Sequence, residues 1–172
     1  IPKPENAAER IYYTVPDNKE PIIAIAKDKE ATGSQVTVYY KHKPMTKELK
    51  ATIAGIAGIY LKSVTSMMLN DRLKEISEKP NAPFMSAYSY DANFIVSKTM
   101  DAFTTMAVSK EGETQKALKA LLQETERVNR FGFTESEYER AKANLLSMIE
   151  SMYKEREKQK NNSYVEEYVS HF

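Results

Sequence analysis

Phe84-Met85-Ser86-Ala87-Tyr88-Ser89-Tyr90-Asp91-Ala92-Asn93-Phe94-Ile95-Val96, with Thr99 to Lys110 after it, is the stretch on which the fold turns. Tyr88, Tyr90 and Phe94 lie in the first run, and Phe103, Thr104, Thr105 and Val108 in the second. β-Branched and aromatic residues suit a pleated, half-buried strand. Pro83 and Gly112 bound the pair, and Ser97-Lys98 is the expected hairpin turn. Two strands joined by so short a turn pair antiparallel, because a parallel pair needs a long crossover.

Working upstream, Gln35 to Lys41 alternates, with Val36, Val38 and Tyr40 on one face and Thr37, Tyr39 and Lys41 on the other. Arg10 to Val15 reads as a strand closed by Pro16-Asp17-Asn18, and Pro21 to Lys27 as another, built on Ile22, Ile23 and Ile25. Thr46 is placed to cap a helix whose apolar face runs Leu49, Ile53, Ile56, Ala57, Tyr60, Leu61, Val64 and Met68. Gly55 and Gly58 sit inside it, each at a cost of about 1 kcal/mol against Ala, which close backbone packing would offset. Asn70 to Lys79 reads as a second, short helix stopped by Pro80 and Pro83.

Downstream, Ala117, Leu118, Leu121, Leu122 and Val128 mark a helix ending at Gly132. Thr134-Glu135-Ser136-Glu137 is a capping box, with Phe133 and Tyr138 as its hydrophobic staple. That helix continues through Ala141, Leu145, Met148, Ile149, Met152 and Tyr153. Asn161-Asn162-Ser163 breaks it and caps a last one carrying Tyr164, Val165, Tyr168, Val169 and Phe172. Strands grouped with strands, and helices with helices, predict α+β: an antiparallel sheet with helices packed on one face.

The chain has 172 residues, 25 Lys+Arg against 24 Asp+Glu, two His and no Cys. One domain of this length can bury a core without staples. No Cys means no disulfide framework and no zinc ribbon. A net charge of +1 gives no electrostatic footprint for nucleic acid. The uncharged run Ala51 to Leu61, between Lys50 and Lys62, is far below the ~20 residues of a membrane span. Residues 1–9, with Pro2 and Pro4, read as a linker, and the last helix stops without a closing signal. We therefore expect a single domain, 1–172, excised from a longer protein.

The chemistry available is sparse. His42, at the end of a strand and between Lys41 and Lys43, reads as an exposed loop residue, since neighbouring cations disfavour a divalent metal. His171 falls on the polar side of the last helix, and neither His belongs to a zinc-binding motif. No Ser stands in a nucleophile elbow, and the five Gly are too scattered for a phosphate loop. The mixed-sign run Lys154 to Lys160 is a solvated helix face. Met67-Met68 and Met148/Met152 are core filling. Tyr88-Ser89-Tyr90 could form a half-wet face that touches peptide, or simply edge the core.

Three motifs in this order carry a resemblance. Met68-Leu69-Asn70-Asp71-Arg72-Leu73 with Asn81-Ala82-Pro83-Phe84, then Arg130 to Lys142, then Tyr153 to Lys158, resemble the pitrilysin/insulinase family of zinc metallopeptidases. The resemblance implies a domain of the mitochondrial processing peptidase-like metallohydrolase fold. In that family a neighbouring domain carries an inverted His-x-x-Glu-His motif, whose Glu is the general base on zinc-bound water. Nothing here matches those positions. A domain of this type in the facing half supplies an Arg and a Tyr to the substrate; here Ser77 and Phe84 stand in their places.

What the resemblance implies is a non-catalytic structural domain of a zinc metalloendopeptidase, with no catalytic, cofactor or metal residues of its own. Zinc belongs to the preceding domain. The implied partners are that domain, the facing half and peptide substrates. A scaffold module of a peptidase-like protein without activity is the alternative. Bacterial envelope relatives point to the periplasm or cell envelope.

Overall fold

The structure, a computed structural model, describes residues 11–158 and 160–171. The expected linker at residues 1–9 lies outside the described residues. The chain divides into two compact units, Ile1–Gly132 and Phe133–Phe172.

The first unit is built on a three-stranded sheet. Its strands are β1 (Ser34–His42), β2 (Ser86–Asn93) and β3 (Asp101–Ser109), in the order β1-β3-β2. Both pairs are antiparallel, and Val38 and Ser89 both stand opposite Thr105. The helix α2 (Ile53–Ser77) lies along β2, and α3 (Thr114–Phe131) along β3 and β1. Both cover the face that carries Ser89, Thr105 and Ser109, since Asn70 of α2 bonds Ser89 and Thr114 of α3 bonds Ser109. The central strand offers that face small residues, Thr105, Ala107 and Ser109, all buried. The volume of the core comes instead from Val64, Leu69 and Leu73 of α2, Leu121 of α3, and Phe84 just ahead of β2. Each such side chain, fully buried, contributes roughly 1.5–3 kcal/mol.

The α+β architecture with helices on one face is as the sequence implies; several elements differ. Residues 11–15 and 21–27 belong to no strand. β-Branched composition alone does not make a strand, which needs a partner to take its amides and carbonyls. The single helix expected from Thr46 is two. Thr46 caps α1 (Lys47–Lys50) through the Leu49 amide, and Thr52 caps α2 through the Gly55 amide. The bend between them presses Gly55 onto the backbone of Leu49 and Lys50, where a Cβ would be 2.9 Å from Lys50 Cα. That is the close packing the glycine requires.

The expected helix from Asn70 is the continuation of α2. Met68, Leu69 and Leu73 form one buried stripe across the supposed junction. Asn70 does not break the helix, because its amide is engaged with Ser89 rather than with its own backbone. The turn between β2 and β3 is longer than Ser97-Lys98. It is closed by Phe94 N–H donating to the Met100 carbonyl, 2.9 Å, and holds Ile95 at φ 54°.

Arg72 ties α2 to α3: its guanidinium donates to Glu124 at 3.2 Å and to the Gly132 carbonyl at 3.1 Å. On the outer surface of α3, the hydrogen bond from Arg130 holds the Glu126 carboxyl below the usual carboxylate range. Gly132 closes α3 at φ 65°, ψ −147°, a backbone region close to that reserved for glycine.

In the second unit, α4 (Glu135–Glu155) starts with the expected capping box, Glu137 N–H on Thr134 Oγ1 and Thr134 N–H on Glu137 Oε2. It buries Ala141 and Leu145. The break comes before Asn161: a 3-10 turn at Arg156–Lys158 ends α4, with Arg156 donating to the Tyr153 carbonyl at 2.8 Å. α5 (Asn161–His171) then begins at Asn161 itself. The side chain of His171 lies outside the described residues. No helix among the described residues is long and apolar enough to cross a membrane.

Candidate functional site

The two faces of the sheet are unlike. Register puts Tyr39, Thr104 and Tyr90 in one row across the three strands, and Thr37, Met106 and Tyr88 in the next. These rows lie on the face opposite α2 and α3. Tyr39, Tyr88 and Tyr90 are 43%, 44% and 38% exposed, while Thr104 between them is buried by its neighbours. The rings of Tyr88 and Tyr90 stack at 6.0 Å, and Tyr88 donates its hydroxyl to Met106 Sδ. Tyr39 meets Phe94 edge to face at 5.3 Å, and the Lys41 ammonium stands 5.9 Å from the Phe94 ring centre. The result is a shelf of half-exposed tyrosine rings with the Lys41 ammonium beside it. Such a surface can cover apolar side chains and hydrogen-bond peptide amides.

Of the trio Tyr88-Ser89-Tyr90, the structure brings the tyrosines together and turns Ser89 away. Ser89 is buried under α2, where Asn70 Oδ1 accepts from its amide at 2.6 Å and its hydroxyl at 3.0 Å. Tyr39 and Phe94 join the shelf by register and loop closure, and Tyr39 was legible only as one alternating face of its strand.

The remaining candidates form no reactive group. His42 ends β1, the strand end at which the sequence places it, but is half-buried rather than exposed, with Nε2 2.9 Å from Asp91 Oδ2 and Nδ1 3.0 Å from the Lys43 carbonyl. The Lys62 ammonium lies 2.7 Å from the other Asp91 oxygen. Both histidine nitrogens and the carboxylate are thus engaged, with a cation already in place, so this donor set does not fit a divalent metal. Among the described residues no group of three or more His, Asp or Glu could hold one. Ser77 returns its hydroxyl to the Lys74 carbonyl at 2.7 Å. Phe84 is fully buried in the core and presents nothing to a ligand.

The described residues thus form an antiparallel sheet with helices on one face and an aromatic surface on the other. The comparisons give the chain a family. The description "Peptidase M16 inactive domain" matches residues 1–145. The chain belongs to that family. It is 29% identical over 160 residues to a "Zinc protease PQQL-like" protein of Arabidopsis thaliana, a match covering 93% of this chain and 13% of that protein. The fold is that of the crystal structure of the periplasmic protease PqqL from Escherichia coli, with a TM-score of 0.67 and 16% identity over 83% of this chain. The same likeness holds for the first half of PqqL solved alone, of which it covers 30%. The chain therefore spans a small part of the length of the proteins it matches.

Proposed function

We propose that this chain is one non-catalytic domain of a zinc metalloendopeptidase, bracing a preceding zinc-bearing domain and forming part of the wall of a peptide-degrading chamber. The observation that carries the reading is the uncovered face of the sheet. Tyr39, Tyr88 and Tyr90 stand exposed on the side the helices leave open, in a domain of the M16 inactive type. Rings and hydroxyls in alternation suit extended peptide of varied sequence, because they bind backbone and side chain without selecting one residue. The zinc, and the Glu that acts as base on its water, belong in this reading to the domain before this one. A facing half completes the chamber. The E. coli relative is described as a periplasmic protease, and we assign the same compartment here.

The test uses the full-length protein. A His-x-x-Glu-His upstream of Ile1, one zinc per chain and peptide hydrolysis are the expected results, while the 172-residue chain alone binds no stoichiometric zinc. Replacing Tyr88 and Tyr90 by Ala should then raise KM for long peptides and leave zinc content unchanged. Lack of the upstream motif would instead support an interaction module in a peptidase-like protein without activity. Tight 1:1 zinc in the isolated chain would sink both.

A further inference from the structure

Ahead of β1 lies a second unpartnered feature, a segment of chain rather than a sheet face. Pro21 to Lys27 is a continuous apolar run, bounded by Pro21 and by the turn at Asp28, whose Oδ1 accepts from the Glu30 amide at 2.8 Å. A short apolar run bounded by turns is the pattern of a strand buried on both faces. The structure leaves the run outside any ladder, with Ile22, Ile23 and Ile25 79%, 83% and 82% exposed. Nearby, Ile11 and Tyr13 are 72% and 80% exposed. The start of this segment is fixed rather than adrift: Thr99 Oγ1 donates to the Tyr13 carbonyl at 2.8 Å, and Lys41 Nζ to the Pro16 carbonyl at 2.7 Å. Three isoleucines within four residues, exposed to this degree, present apolar surface that a partner would cover.

We infer that residues 21–27 are a donated strand, completed by an open sheet edge of the domain that precedes this one in the full-length protein. The inference rests on the reading that such a domain exists. It is supported by the matched first half of PqqL, of which this chain accounts for 30%, leaving room for a further sheet. Main-chain hydrogen bonds to that edge would satisfy alternate amides of the run, such as those of Ile23 and Ile25, and the two layers of that sheet would cover the side chains. The segment would then act as a covalent strap between the two sheets, which a surface contact alone does not provide.

Amide hydrogen exchange on both proteins tests this. In the full-length protein alternate amides among residues 22–26 should exchange about 100-fold or more slowly than in the 172-residue chain. Ile23→Asp should leave the Tm of the 172-residue chain unchanged, where the side chain is exposed, and lower that of the full-length protein. Fast exchange in both proteins overturns the inference. So does slow exchange in the short chain: concentration-dependent protection would mean a second copy, and concentration-independent protection would mean pairing with β1. Protection in a full-length protein that lacks zinc and activity would sustain the strap while refuting the peptidase reading.

Discussion

Replacing Arg72 by Met should be among the most damaging single changes in the chain. Arg72 and Glu124 are 11% and 8% exposed at the side chain, so neither charge is well solvated. Loss of the guanidinium leaves the Glu124 carboxylate buried and takes a donor from the Gly132 carbonyl. Breaking a buried ion pair costs about 3–5 kcal/mol. The lower end applies, because Arg127 remains 3.5 Å from the second carboxylate oxygen on an exposed stem. About 3 kcal/mol lowers Tm by roughly 6–12 °C in a chain of this size. Removing both charges, as Arg72→Met with Glu124→Leu, should recover most of that loss, to within about 1 kcal/mol of the parent chain. Arg72→Lys keeps the charge but not the planar fork that reaches two acceptors, and should fall between. Urea unfolding at neutral pH with a common m-value reads all four proteins. A single variant within 0.5 kcal/mol of the parent, about the scatter of surface substitutions, would refute the reasoning. A double variant as unstable as the single one would also do so.

Two further predictions separate packing from propensity and test a polar lock. Gly55→Ala forces a Cβ into backbone atoms of Leu49 and Lys50, so it should cost about 1–3 kcal/mol despite the gain in helix propensity. Gly58→Ala meets only the flexible end of Met45, at 2.9 Å, and should be near neutral by thermal melt. Asn70→Ala strips partners from the buried Ser89 amide and hydroxyl, for about 1–3 kcal/mol. Exchange at the Ser89 amide should accelerate, and an unchanged rate would mean that Asn70 is not its lock.

What the sequence makes legible is what neighbours along the chain decide. The capping box at Thr134 closes over four residues, and Gly132 takes a positive φ for reasons of its own backbone, with open space around it. The antiparallel pairing of β2 with β3 follows from the short connection between them. What it hides is decided by distant partners. Pro21 to Lys27 has the composition of a strand and lacks a ladder, so composition over-reads it. Thr46 and Thr52 are both good caps, and only the approach of Gly55 to Leu49 shows that both are used. His42 looks exposed until the fold brings Asp91, 49 positions away, to its ring.

The tyrosine shelf itself depends on one such distant partner. Side chains on a strand alternate, so a slip of one residue in β2 would exchange its faces. Tyr88 and Tyr90 would then lie beneath α2, against a central strand whose small residues leave the helix close. Hydrophobic patterning alone argues weakly for that slip, because tyrosines are the better core residues and Ser89 the poorer. Asn70 reverses the preference. Its side-chain amide accepts from the Ser89 amide and hydroxyl and donates to the Ser89 carbonyl at 3.0 Å. A tyrosine in that position could offer the same backbone groups but no hydroxyl at that distance, and its ring would collide with the helix. A buried serine matched to one asparagine thus turns two large aromatic rings outward, at some cost in core volume. That cost is intelligible if the rings are needed on the surface the helices leave uncovered.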